Sequence, residues 1–346
     1  MDSDTLRHLP KAELHQHLDG AVRPETAVEL AAEMGSTLTL DEARRRLIGP
    51  PRCRDQEELL TYFDLPIALL QTAPALRRVA AELVRAMFED GVTYGEIRWA
   101  PRLHLAGGLS VSEVIEAVAD GVERERAALG EVAPAIALIV TAMRSHPPAD
   151  NVALARAAAA IGDPVVGFDL AGLEASYPAP PHAAAFRAAA AGGLALTAHA
   201  GEVAGAQRIR DAVGLGVTRI AHGVTAAGDP LLEELLRERD VALDLCPTSN
   251  VQAGIVADLA SHPLTALHRA GVTVTISTDD RTVSSTTLSD EMWRTARAQG
   301  MHRDELAAVA LNGFRRGFAP ADVRTPLLIA AEAAWRAWSA EGTSIS

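Results

Sequence analysis

The sequence predicts an α/β fold, a (β/α)8 TIM barrel with a helical insertion after its first strand. Three observations predict it. Eight short apolar runs, mostly aliphatic or β-branched and bounded by Gly, Pro, Asp or Asn, are separated for the most part by stretches of helical period. No glycine-rich phosphate turn follows the first run, where a doubly wound sheet would carry one. The third observation is placement: His and Asp side chains fall at the C-terminal ends of the first, fifth, sixth and eighth runs. In an open sheet those ends lie along a line, whereas in a closed barrel they converge over one mouth.

The expected strands are Ala12–Leu18, Tyr94–Ala100, Ala135–Met143, Val165–Ala171, Leu194–Ala200, Arg219–Val224, Val241–Cys246 and Val272–Thr278. Between the first two lies a long insertion, residues 22–93, that reads as helices. They are Pro24–Met34, a short Asp41–Leu47, Gln56–Gln71 and Ala75–Glu89, with Gly49-Pro-Pro51 breaking the series and Pro74 separating the last two. Leu59, Leu60 and Phe63 share one helical face, which suits either a core stripe or an apolar lid over the mouth. Further along, Ser112 and Glu113 cap a helix to Ala128, and Ala149–Ala160 and Pro181–Ala191 follow. Asp229-Pro230 opens Leu231–Arg239. The tail, 320–346, carries one more helix, Leu327–Ser339, expected on the outside of a single domain spanning 1–346.

Composition excludes several classes. The formal net charge of −13 disfavours a nucleic-acid partner, whose phosphates require a basic face. No apolar run approaches the ~20 residues of a membrane helix. The chain opens on acidic and polar residues rather than a secretory signal, so a cytoplasmic protein is expected. Cys53 and Cys246 are too few for a disulfide scaffold or a four-cysteine zinc site.

The chemistry begins in Glu13-Leu-His-Gln-His-Leu-Asp-Gly20. Side chains alternate along a strand, so His15 and His17 face the same way and can grip one metal ion. Thr197-Ala-His-Ala-Gly-Glu202, Ile220-Ala-His-Gly223 and Ser277-Thr-Asp-Asp280 end three later runs. His15, His17, His199 and Asp279 form a three-imidazole, one-carboxylate set that suits Zn²⁺ first, with Fe²⁺ or Co²⁺ as alternatives. A catalytic zinc keeps a position open for water and lowers that water's pKa to about 7. His222 and Asp280 are then placed to orient the water and accept its proton, and Glu202 to donate one to a leaving or ring nitrogen. Lys11 is the only lysine and lies outside the fourth strand, so a carboxylated lysine bridging two metals there is excluded and one ion per chain is expected.

With these motifs in view, the chain resembles the adenosine deaminase family of metal-dependent hydrolases. The resemblance runs from about His8 to Pro320 and rests on the first-strand motif from Pro10, His199-Ala-Gly-Glu202, Ala221-His-Gly223, Cys246-Pro-Thr-Ser-Asn250 and Ser277-Thr-Asp-Asp280. It implies zinc-dependent hydrolytic deamination of adenosine or 2′-deoxyadenosine to inosine or 2′-deoxyinosine and ammonia. It also implies roles. His15, His17, His199 and Asp279 match the zinc ligands, Glu202 the proton donor to purine N1, and His222 the water-orienting base. Asp280 matches the residue holding both the water and N7. Asp19, with His17 beside it, matches a sugar-hydroxyl contact, Gly172 the backbone donor to N3, and Leu59, Leu60 and Phe63 an apolar lid over the ribose.

Two departures bear on substrate. Leu173-Glu174 stands where many members have Asp-Glu, and Arg281-Thr-Val-Ser284 follows the paired aspartates where many have proline. The alternatives are other 6-aminopurines: aminodeoxyfutalosine, adenine or methylthioadenosine. Arg23, Arg98, Arg102 and Arg144 lie near strand ends and could build a clamp for an acidic substrate. A catalytically dead barrel that only binds would have no physical need for Glu202, His222 and Asp280 together.

Overall fold

The computed structural model describes residues 3–203, 205–342 and Ile345. Eight parallel strands follow one another in sequence order: β1 Lys11–His17, β2 Val92–Trp99, β3 Ala135–Met143, β4 Val165–Ala171, β5 Ala195–Ala200, β6 Arg219–His222, β7 Ala242–Leu245 and β8 Val274–Ile276. Helices cross between them and bury their apolar faces on the strands. This is the expected (β/α)8 barrel.

Closure happens just beyond β8. Gln16 pairs with Asp279 as an isolated parallel bridge. His17 N–H donates to Asp279 O at 2.8 Å, and Asp279 N–H donates to His15 O at 2.9 Å. The Thr278 hydroxyl donates toward Glu13 Oε2 at 2.9 Å across the same seam. The backbone that shuts the barrel therefore also carries three of the four expected metal ligands.

The barrel interior departs from the usual layers of branched aliphatics. Arg219 is sandwiched between Glu96 and Asp244, with Nε 2.6 Å from Asp244 Oδ2. Arg98 bridges onward to Asp169 at 3.4 Å and gives NH2 to Leu14 O at 2.8 Å. All five charged side chains are buried, so each charge depends on its partners.

The insertion is helical, with different breaks from those expected. In place of one helix over Gln56–Gln71 there are Gln56–Leu60, a 3₁₀ turn Thr61–Phe63 and Asp64–Leu69. Pro66 is the reason: it has no N–H, and its ring would strike the carbonyl four residues back in a continuous helix. Pro74 separates nothing; it sits in the first turn of Ala73–Glu89, capped by Thr72. The cap of the helix Val111–Leu129 is Ser110, two residues before the expected serine, in a capping box with Glu113. The last helix starts earlier than expected, spanning Ala321–Ala340, and its Trp335 indole donates to Pro10 O at 2.8 Å. No helix of the described residues is long and apolar enough to cross a membrane.

Candidate active site

The C-terminal ends of the strands enclose a cavity of about 260 Å³. His17, Asp19, Gly172, His199, Glu202, His222, Asp279 and Asp280 line it, with Leu59, Leu60 and Phe63 from the insertion. His15 lies buried beneath it. All the site residues expected from the sequence are thus brought to one place. A larger hollow, about 540 Å³, lies at the opposite face among Asp120, Arg126, Asp163 and Pro320, and gathers no metal-ligating cluster.

His15 Nε2 and His17 Nε2 are 3.2 Å apart, as are His17 Nε2 and His199 Nε2. Asp279 Oδ1 lies 3.0 Å from His15 Nε2 and 3.3 Å from His17 Nε2. A tetrahedral ion with bonds of about 2.0–2.1 Å has ligand atoms roughly 3.3 Å apart. The four atoms match that spacing. Electrostatics agrees. Burial pushes His15 well below the usual histidine range and His199 down to about 4, so these imidazoles are neutral. Burial also works against a charged Asp279, and charged histidines would have to hold its pKa down. Neutral imidazoles cannot do so; a cation among the four atoms satisfies all of them at once. Asp279 itself adopts a left-handed backbone, φ 64°, and so does His222, φ 67°. They are two of the four non-glycine residues with positive φ among the described residues.

Neighbours fix these ligands. Asp169 on β4 accepts from His199 Nδ1, at 3.2 and 3.1 Å to its two oxygens, which leaves Nε2 as the lone pair facing the cluster. Burial works against the charged form of Asp169, but the bond from His199 Nδ1–H and the Arg98 charge outweigh it and hold the carboxyl well below its ordinary range. Ser249 donates to Asp279 Oδ2 at 2.7 Å.

Glu202 is held at both ends. Glu174, the residue after the departure at Leu173, accepts the N–H groups of Gly201, Glu202 and Val203 at 2.6, 3.1 and 3.1 Å. The Gln56 amide, reaching down from the insertion, donates to Glu202 Oε2 at 2.6 Å. Burial, reinforced by Asp279 and Glu174, raises Glu202 well above the carboxylate range. Burial and the adjacent Asp279 raise Asp280 in the same direction. Gly20 makes room for it, since a Cβ there would lie 1.9 Å from Asp280 Oδ1. Gly172 has φ 108°, a conformation open to glycine, where β4 meets the cavity.

Leu59, Leu60 and Phe63 all line the cavity, and Leu59 also takes part in apolar packing. Leu59 is buried in a small cluster with Cys53, Ala253 and Val283, flanked by Tyr62 and Phe63. The cavity side of the same segment covers the mouth. Val283 belongs to the stretch that departs from the paired-aspartate pattern, so that departure supports the covering segment. Leu173 is absent from the cavity wall.

Sequence reasoning missed four contributors: Asp169, Glu174, Gln56 and Ser249. Ser249 had a signal, since it lies in the quoted Cys-Pro-Thr-Ser-Asn stretch. None of the four arginines reaches the cavity wall. Arg23 binds Glu82, Arg102 binds Asp150, Arg98 lies in the interior ladder, and Arg144 gives its guanidinium to Tyr177 O and His199 O.

Fold and site together define a class: metal-dependent barrel hydrolases whose ligands stand at strand ends. The chain matches the family model described as Adenosine deaminase over residues 10–332. It is 37% identical over 324 residues to an adenosine deaminase of Enterococcus faecalis, covering 93% of this chain and 96% of that one. The structure of adenine deaminase from Arthrobacter aurescens is similar, with TM-score 0.85, 27% identity, and 93% and 98% coverage of the two chains. An amidohydrolase from Burkholderia ambifaria with bound Zn has TM-score 0.85 and 25% identity, covering 98% of this chain and 93% of that one. This chain belongs to the adenosine deaminase family.

Proposed function

We propose that this protein is a zinc-dependent deaminase that hydrolyses adenosine and 2′-deoxyadenosine to their 6-oxo products and ammonia. One observation carries the reading. Glu202, a carboxyl whose burial pushes its pKa well above the ordinary range, shares one nucleoside-sized cavity with the four-ligand cluster. Zinc fits the spacing and the all-nitrogen-and-oxygen ligand set, and when bound supplies Lewis-acid activation of water at neutral pH.

The side chains do the rest. Attack at C6 disrupts the aromatic ring, and Glu202 offsets that by giving its proton to N1. His222 and Asp280 orient the attacking water, and Asp280 takes its proton. Asp19 is buried, with an Oδ1 that has no protein partner among the described residues, and it receives a sugar hydroxyl. Leu59, Leu60 and Phe63 cover the sugar and exclude water.

The test pairs metal analysis with ammonia release from adenosine. The expected result is one zinc per chain, activity lost to a chelator and activity restored by Zn²⁺. Two bridged metals, or no ammonia from any 6-aminopurine nucleoside, would overturn the proposal.

A further inference from the structure

Behind His222 runs a buried line of hydrogen bonds that ends at a backbone amide. Leu264 N–H donates to His262 Nδ1 at 3.3 Å. That nitrogen is therefore an acceptor, and the proton of His262 is on Nε2. His262 Nε2 stands 3.1 Å from Asn250 Oδ1, an atom that only accepts, so the imidazole donates. The amide orientation of Asn250 is thereby fixed. Its Nδ2, which only donates, lies 3.1 Å from His222 Nδ1. His222, Asn250 and His262 are all nearly inaccessible to water, so no solvent competes for these bonds.

We infer that Asn250 and His262 are positioning residues that lock His222 as a neutral imidazole with its proton on Nε2, making it a hydrogen-bond donor toward the reacting oxygen and not its base. Two further facts agree. Burial lowers the pKa of His262 to about 3, so the residue upstream of Asn250 is not an imidazolium. His222 Nε2 faces acceptors, with Glu202 Oε2 at 3.7 Å and Asp279 Oδ2 at 3.8 Å. Both are within reach of a group placed between them and the ring.

The consequence rests on the deaminase reading above. An imidazole whose facing nitrogen already carries a proton cannot accept another there. Asp280, ionised above its raised pKa, takes the proton released by the attacking water as the new O–C6 bond forms; the C6–N1 π pair moves to N1, which receives the Glu202 proton, and the His222 N–H stabilises charge on the oxygen throughout. Removing one such preorganised donor typically lowers kcat about 10²–10³-fold.

The test is the ¹⁵N spectrum of histidine-labelled protein, with the His222 signals identified by their loss in His222→Gln. The expected spectrum has a protonated Nε2 and an unprotonated Nδ1 that do not titrate across the pH range of stability. Asn250→Asp replaces the donor by an acceptor and should move the proton to Nδ1. Roughly a hundredfold loss of kcat should accompany the move, with KM changed by less than about threefold. Should that variant fail to fold, His262→Leu removes the upstream donor and should leave a mixture of tautomers. His262→Gln keeps a donor and should restore the single form. A protonated Nδ1 in the wild type, or a His222 tautomer unmoved by Asn250→Asp or His262→Leu, overturns the inference. Because the spectra are recorded on free protein, they decide this point even if adenosine proves not to be the substrate.

Discussion

Glu202 shows how much of the proposed chemistry depends on one residue's surroundings. An exposed glutamate is ionised at neutral pH and has no proton to give. Burial beside Asp279 and Glu174 reverses that, and the backbone clamp from Glu174 keeps the carboxyl aimed. A raised carboxyl stays in its acid form until the pH rises through its own pKa. Glu202 therefore contributes an alkaline limb to the kcat profile, and Asp280, raised in the same direction but needed as a carboxylate, contributes an acid limb, so the expected profile is bell-shaped. Glu202→Gln should retain zinc and bind purine nucleoside while kcat drops about 10²–10⁴-fold. A variant turning over near the wild-type rate would show that N1 receives its proton from another group. Asp169 carries a second prediction. Its carboxylate fixes the tautomer of His199, and such partners contribute about 10–100-fold to metal affinity. Asp169→Asn should weaken zinc binding by that factor in a competition titration against a chelator. Unchanged affinity would mean that His199 is oriented by packing alone.

At the scale of elements, two segments decide the site: the β1–β8 seam and the short helices over the mouth. The covering segment is tied down on its outer side, where Cys53 N–H donates to Gln252 O at 2.7 Å. On its inner side Gln56 bonds to Glu202. Gln56→Met keeps the shape and removes the donor. Amide exchange over residues 56–63 should then quicken in the free protein, and kcat should fall about tenfold, the order of one hydrogen bond to a group that becomes charged. Exchange and kcat both at wild-type values would show that Leu59 anchors the segment alone. The closure was legible in the sequence because His15 and His17 keep strand periodicity and Asp279 falls at the end of the last apolar run. The segment breaks were not, because the stripe Leu59, Leu60, Phe63 continues through Pro66 as if the helix did. Gln56 and Glu174 were equally hidden. Each is one polar residue in an ordinary helix or loop, and only the third dimension brings them to Glu202. The helices Leu288–Ala298 and Arg303–Arg316 were missed although the first is strongly amphipathic and both open on an acidic first turn, signals the sequence carries in full. Asp169 sat unremarked inside a strand, where a lone carboxylate looks out of place until Arg98 and His199 appear on either side of it.

The whole molecule bears on substrate charge. The chain carries a net −13, and the cavity wall contains Asp19, Glu202, Asp279 and Asp280 but no lysine or arginine. A cation held by His15, His17, His199 and Asp279 would offset part of that charge at the purine end only. At the sugar end, Asp19 stands with apolar neighbours such as Ile67 and Leu103. A 5′-phosphate there, roughly 6 Å from that carboxylate at an effective dielectric of about 20, meets about 3 kcal/mol of repulsion per unit charge. The arginines that could answer it are already committed to Glu82, Asp150, the interior ladder and two backbone carbonyls. Free adenine fails differently, since it leaves Leu59, Leu60 and Phe63 with nothing to cover and Asp19 with no hydroxyl. A panel of kcat/KM values over adenosine, 2′-deoxyadenosine, adenine, AMP, methylthioadenosine and aminodeoxyfutalosine should therefore place adenosine and 2′-deoxyadenosine ahead of free adenine and of the two acidic substrates. AMP should trail by about a hundredfold, the factor that ~3 kcal/mol of transition-state binding corresponds to. The acidic side chain of aminodeoxyfutalosine should count against it in the same direction. If AMP or aminodeoxyfutalosine comes within tenfold of adenosine, the arginine pairs must open on binding and the charge argument fails, while the assignment of Glu202 as the acid stands untouched.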